Sequence, residues 1–220
     1  MSVREGMERR GFLARGMAGL AALGILPANA AAAPGPLAGP MAQGGWDMSW
    51  LDRLTGKHRQ VFDLTDVTAL RVIRNWLDAH EEVYGLKSSQ LSAVIGITRE
   101  AFTANASDAL YRRFPIGELW KVTDPDTGKP ALRNIYLDGG RTPKDQAATV
   151  RGLQARGVIF WQCNNALHGV AAMVGEAVKR PEPEVYEELR AGLNHGVIVV
   201  PAHTMLLGLC QERGCSYEAL

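Results

Sequence analysis

The chain predicts an α/β fold, a three-layer sandwich on a mostly parallel β-sheet, and three features predict it. Residues 158–161 and 197–200 are uninterrupted β-branched or aromatic runs, the pattern of strands covered on both faces. After Cys163 the apolar period becomes helical, with Leu167, Val170, Ala171, Val174 and Val178 on one stripe. Strand-like and helix-like segments alternate along the chain, which implies right-handed crossovers between parallel strands.

The elements follow in order. Residues 59–64 read as the first strand. Thr65 or Asp66 caps a helix over residues 67–84, with Leu70, Ile73, Leu77 and Tyr84 on one stripe and Gly85 as its left-handed stop. Residues 91–97 read as the second strand, and a short helix is expected over 106–112. Residues 114–144 form a Pro-rich insertion holding Pro115, Pro125, Pro130 and Pro143, with turn signals at 124–128 and 138–140. A loop of that length in a compact domain is usually a functional cover or an oligomer contact, and residues 134–137 are expected to add a short strand within it. A helix over 146–156 stops at Gly157. The strand 158–162 then runs into a helix from Asn164, and another helix covers 183–191. Residues 196–200 read as a second fully buried strand ended by Pro201. A last helix over 202–213 stops at Gly214, and residues 215–218 are expected as an edge strand.

The N-terminal segment has a different character. Arg9 and Arg10 precede Phe12 and Leu13, a weakly apolar Ala/Gly run covers 17–26, and residues 27–33 offer small-x-small cleavage sites. Residues 1–33 resemble a twin-arginine signal peptide, which implies export to a periplasm after folding. The apolar run is too short to span a membrane. Residues 34–45 are rich in Pro and Gly, so a flexible linker is expected over 34–56 and one α/β domain over 57–220. The formal net charge of +1 points to neither nucleic acid nor an anionic membrane surface.

The three cysteines are Cys163, Cys210 and Cys215, so at least one is unpaired within the chain. Cys210 and Cys215 are near enough in sequence for a disulfide, and three buried thiols are the alternative. Ligands and reactive groups collect at the carboxyl ends of such sheets, which selects Asp63, Thr65, Thr98, Arg99, Cys163, Asn164, Asn165, His203 and Thr204. His195 precedes its strand and is assigned to the opposite edge, as a turn residue. His80 reads as part of a solvated helix face. Cys163 stands at a helix start, where the dipole favours thiolate, although free cysteine is also a common buried hydrophobe. His168 lies four residues after Asn164 on the same helix face and points back toward the thiol, or else packs at the surface. Cys163, His168 and His203 together are candidate metal or haem ligands, although no tight metal spacing is present. A phosphate-binding glycine loop, a nucleophile elbow and a Cys-x-x-Cys motif are all absent.

Residues 157–167 (Gly-Val-Ile-Phe-Trp-Gln-Cys-Asn-Asn-Ala-Leu), residues 196–202 and the helix ending at Gly214 together resemble the DsrE/DsrF-like family of sulfur-relay-type proteins. The resemblance implies a flavodoxin-like or Rossmann-like sandwich assembled as a trimer or hexamer. It also implies a cysteine after a central strand that carries persulfide sulfur between donor and acceptor proteins. Only Cys163 matches that position. The function expected is therefore sulfane-sulfur handling at Cys163, with Asn164, Asn165, His168 or Arg99 stabilising charge. The alternative is a noncatalytic periplasmic module that binds a metal, haem or small ligand through Cys163, His168 and His203.

Overall fold

The computed structural model describes residues 45–220. The signal peptide expected over 1–33 and the first part of the expected linker lie outside the described residues. The sheet contains β1 (His58–Leu64), β2 (Leu91–Ile97), β3 (Ile159–Cys163), β4 (Val197–Val200) and β5 (Ser216–Ala219) in the order β4-β3-β2-β1-β5. Every pairing is parallel. β2 is buried at all seven positions, as an apolar strand with a neighbour on each side and a helical layer on each face should be. β4 departs from the expectation of full burial: it is a sheet edge, and only Val200 is fully buried. Its Val-Ile-Val-Val run reads the same whether one neighbour flanks it or two, so its edge position was not legible.

Strand alternation divides the core between two faces. Phe62, Leu64, Ile95, Ile97 and Phe160 pack beneath α1 (Leu70–Tyr84) and α6 (Val150–Ala155). Val61, Val94, Trp161 and Val200 pack on the other face beneath α9 (His203–Glu212). α1 follows a 3-10 turn at Val67–Ala69, where Asp66 Oδ1 accepts the Thr68 N–H at 2.8 Å, and it stops at Gly85 with φ 64°. α7 (Asn164–Val178) and α8 (Glu182–Ala191) form a hairpin. Leu167, Val170, Val174, Val185 and Leu189 of that hairpin meet Phe102 and Leu110, from α2 (Phe102–Asn105) and α3 (Asp108–Arg113), and Ile116 of α4 (Ile116–Leu119).

Four local expectations are corrected. Residues 49–54 belong to the domain, not to a linker. Trp50, Leu51 and Leu54 are buried from a 3-10 turn at Ser49–Arg53, and the Trp50 ring lies 5.8 Å from that of Trp161. The helix expected over 106–112 is α3, which starts two residues later because the Ser107 hydroxyl caps it, and the separate short helix α2 precedes it at Phe102–Asn105. No strand forms at 134–137. Asn134 Oδ1 accepts the Tyr136 N–H at 2.8 Å and its backbone carbonyl accepts the Leu137 N–H at 3.2 Å, while the Tyr136 carbonyl accepts from Val150, so a turn satisfies backbone groups that a strand would have paired. The helix expected over 146–156 starts later, as α6, because Thr149 Oγ1 accepts the Gly152 N–H at 3.0 Å and caps it, while Gln146 ends a separate short helix, α5 (Pro143–Gln146).

β1 to β4 succeed one another across the sheet, and the helices after β1, β2 and β3 lie on one face. The chain then leaves β4 through α9 on the other face and returns to β5 beside β1, a place that the second strand takes in the flavodoxin order. Adjacent β3 and β4 therefore send the following chain to opposite faces. In an open α/β sheet that divergence opens a crevice at the carboxyl ends of the two strands.

Candidate functional site at the carboxyl ends of β3 and β4

Cys163 is the last residue of β3, in register with Val200 of β4, and is the N-cap of α7. Its Sγ accepts the Ala166 N–H at 3.5 Å, and the residue is 5 % exposed. The first backbone N–H groups of α7 have no partner within the helix, and their dipoles favour negative charge at this point. Strand alternation puts Cys163 in step with Trp161, while its sulfur is held at the start of α7.

A polar relay crosses the face that carries Trp161. His203, the first residue of α9, receives the Trp161 indole N–H on Nδ1 at 3.1 Å, and its Nε2 lies 2.8 Å from Asp63 Oδ1 at the end of β1. Indole nitrogen only donates, so Nδ1 is the acceptor and Nε2 carries the proton given to Asp63. Tyr217 of β5 donates its hydroxyl to the other Asp63 oxygen at 3.0 Å, and the carboxylate raises the tyrosine above its ordinary range. Gly96 of β2 makes the arrangement possible. A Cβ there would lie 2.4 Å from Trp161 Cζ2 and 2.7 Å from His203 Cε1.

The other candidates sit as follows. His168 Nδ1 lies 2.8 Å from Glu182 Oε1, and its ring stacks on Tyr186 at 4.0 Å between centroids. Tyr186 in turn donates to Asn164 Oδ1 at 2.6 Å. His168 and Asn164 therefore fasten α7 to α8. Asn165 is exposed in the first turn of α7, and Arg99 is exposed after β2 and paired with Glu100. His195 lies at the amino edge, lining a cleft of about 250 Å³ with Arg53 and Gln154. Both ring nitrogens of His203 are occupied and His168 is turned to α8, so the two imidazoles serve different partners. Among the described residues, no three His, Cys, Asp or Glu gather closely enough to hold a metal ion.

Gln162 and Asn105 complete the back of the site and escaped the sequence reading. Gln162 is fully buried on the opposite face from Cys163. Its Oε1 accepts from Asn105 Nδ2 at 3.1 Å, and its amide donates to the Thr98 carbonyl at 3.4 Å. Asn105 also donates to the Trp161 carbonyl at 3.2 Å, while its Oδ1 is buried without a partner. A glutamine inside an apolar strand was the available signal, because a buried amide needs partners.

No family model matches the chain, and no curated protein matches it. Among solved structures, the chain is similar to a protein of unknown function from Methanobacterium thermoautotrophicum. The two share 16 % identity over 74 % of this chain and 100 % of that one, with a TM-score of 0.38.

Proposed function

We propose that the protein is an exported sulfane-sulfur-handling protein whose sulfur-bearing group is Cys163. The observation that carries this reading is the placement of the Cys163 sulfur. It caps α7 through the Ala166 N–H at the point where β3 and β4 diverge. In the proposed step the Cys163 thiol loses its proton to solvent and the thiolate attacks the outer sulfur of a sulfane donor such as thiosulfate. The new Cys163 S–S bond forms as the donor S–S bond breaks, and sulfite leaves with the electron pair. The terminal persulfide anion then lies where unpaired helix N–H groups favour charge. Arg99, exposed after β2, and Asn165, exposed in the first turn of α7, provide positive charge and an amide for an anionic donor. The Asp63–His203–Trp161 relay acts as a fixed wall of the crevice, because each ring nitrogen of His203 is already engaged. A homo-oligomer and a donor or acceptor protein belong to the same proposal, on the family resemblance.

The test is intact mass after incubating the chain with thiosulfate or inorganic polysulfide and desalting. The expected result is a gain of one sulfur atom that cyanide removes and Cys163→Ser abolishes. Sulfur mapped to Cys210 or Cys215, or no gain from either donor while Cys163 can be alkylated, overturns the reading.

A further inference from the structure

The turn that closes α9 carries two cysteines at its two contacting positions. Gly214, at φ 79°, donates its N–H to the Gln211 carbonyl at 2.8 Å, and the Cys215 N–H donates to the Cys210 carbonyl at 3.0 Å. This nested pair of bonds is the Schellman arrangement, in which the residue three from the helix end and the second residue beyond it commonly touch through their side chains. Here those residues are Cys210 and Cys215. Both are buried, both are free, and both belong to the same core cluster beneath α9. Arg59 of β1 reaches the same turn, giving its Nη1–H to the Arg213 carbonyl at 2.6 Å and its Nε–H to the Gly56 carbonyl at 2.9 Å. The neighbouring Cys210 thiol holds the Cys215 thiol below the ordinary cysteine range, aided by the charges of Arg59 and Arg213. The neighbouring Cys215 thiol, together with burial, pushes Cys210 up. One sulfur is thus suited to attack and the other to resolve.

We propose that Cys210 and Cys215 are a redox-active pair that closes to a disulfide by exchange with a small-molecule disulfide or a disulfide oxidoreductase. The Cys215 thiolate attacks one sulfur of the oxidant, forming a mixed disulfide and expelling one thiolate. Cys210 gives up its proton and attacks Cys215 Sγ, and the second thiolate leaves. The two cysteines are oxidised and one external disulfide becomes two thiols. The cross-link ties the end of α9 to the start of β5, an exposed strand paired with β1. β5 carries Tyr217 to Asp63, and the Leu220 N–H beyond it to the Asp63 carbonyl at 2.8 Å, so oxidation fixes the strand that completes one side of the relay. The pair lies at the amino edge of the parallel sheet, opposite Cys163, and its chemistry is separable from sulfur loading.

The test uses the full chain equilibrated in a glutathione redox buffer, then denatured, alkylated and peptide-mapped. In the oxidising buffer the chain should lose the mass of two hydrogen atoms. Cys210 and Cys215 should together become unreactive to alkylation while Cys163 is still labelled in full. Cys210→Ser should instead accumulate glutathione on Cys215. Hydrogen exchange at β5 amides should slow on oxidation. Full alkylation of both cysteines after prolonged exposure to glutathione disulfide, or a disulfide that includes Cys163, overturns the proposal, and both outcomes are read on the unmutated chain.

Discussion

Trp161 and His203, 42 residues apart, are joined by an indole-to-imidazole hydrogen bond of 3.1 Å that exists only because residue 96 has no side chain. The two rings occupy the space in which a Gly96 Cβ would stand. Neither neighbour is the free end of a flexible chain, because each ring is held by the other and His203 is also held by Asp63. Gly96→Ala should therefore act as overpacking and cost about 1–3 kcal/mol. Chemical denaturation followed by tryptophan fluorescence measures this, and an unchanged midpoint would show that the crevice wall is soft.

The relay also predicts a coupling. His203→Ala removes the acceptor for a buried indole N–H and a donor to Asp63, which should cost about 1–3 kcal/mol for the groups left unsatisfied. Trp161→Phe loses the same bond from the other end. The double variant should then be less damaging than the sum of the two singles, with a coupling of roughly 0.5–3 kcal/mol. Additive losses would show that the bond contributes nothing. Nitrogen NMR of the imidazole should find the proton on Nε2, since Nδ1 is the acceptor.

How far the sequence could reach is clearest at particular residues. Gly85, Gly157 and Gly214 all sit at positive φ just past a helix, where a residue without Cβ is favoured, so three helix ends were legible. The strand-to-helix junction at Cys163 was legible because the apolar period changes there. The contact between Asp63 and His203 was not. It spans 140 residues and requires β1 to lie under the start of α9, which follows from strand order and not from local pattern. Helix geometry alone leaves His168 free to approach Cys163 or to pack at the surface, and the choice is made by Glu182 and Tyr186 on the next helix, which hold its ring. The buried fold of residues 49–54 was hidden by the Pro/Gly run before it. Its apolar residues find partners only once Trp161 is placed on that face.

Cys163→Ser should separate chemistry from folding. The side chain caps α7 by accepting the Ala166 N–H, and serine is a better N-cap acceptor than a thiol. The variant should keep its stability to within about 1 kcal/mol of the parent while losing sulfur loading entirely. Thermal melts and intact mass on the same preparations check both halves. A variant that fails to fold would show that the packing of the sulfur, more than its capping bond, holds the junction.

Acid should loosen the α7–α8 hairpin before the sheet. Glu188 accepts bonds from Arg113 at 2.9 Å and Arg180 at 2.7 Å, and these hold its carboxyl down to about 2, from an ordinary value of 4.5. A carboxylate whose pKa is lower in the folded state stabilises the fold fully above its unfolded value, and that contribution disappears as pH falls through the folded value. The window here runs from about 4.5 down to about 2. Glu188 is partly exposed, so added salt should weaken the effect by screening. Glu188→Gln should lower the melting temperature at neutral pH and flatten its decline across that window. At the acid end of the window the variant and parent should converge, because the parent carboxyl is by then protonated. If the two chains instead keep parallel melting curves through the window, the ion pairs to Arg113 and Arg180 do not contribute to holding α8 against α3 and the end of α7.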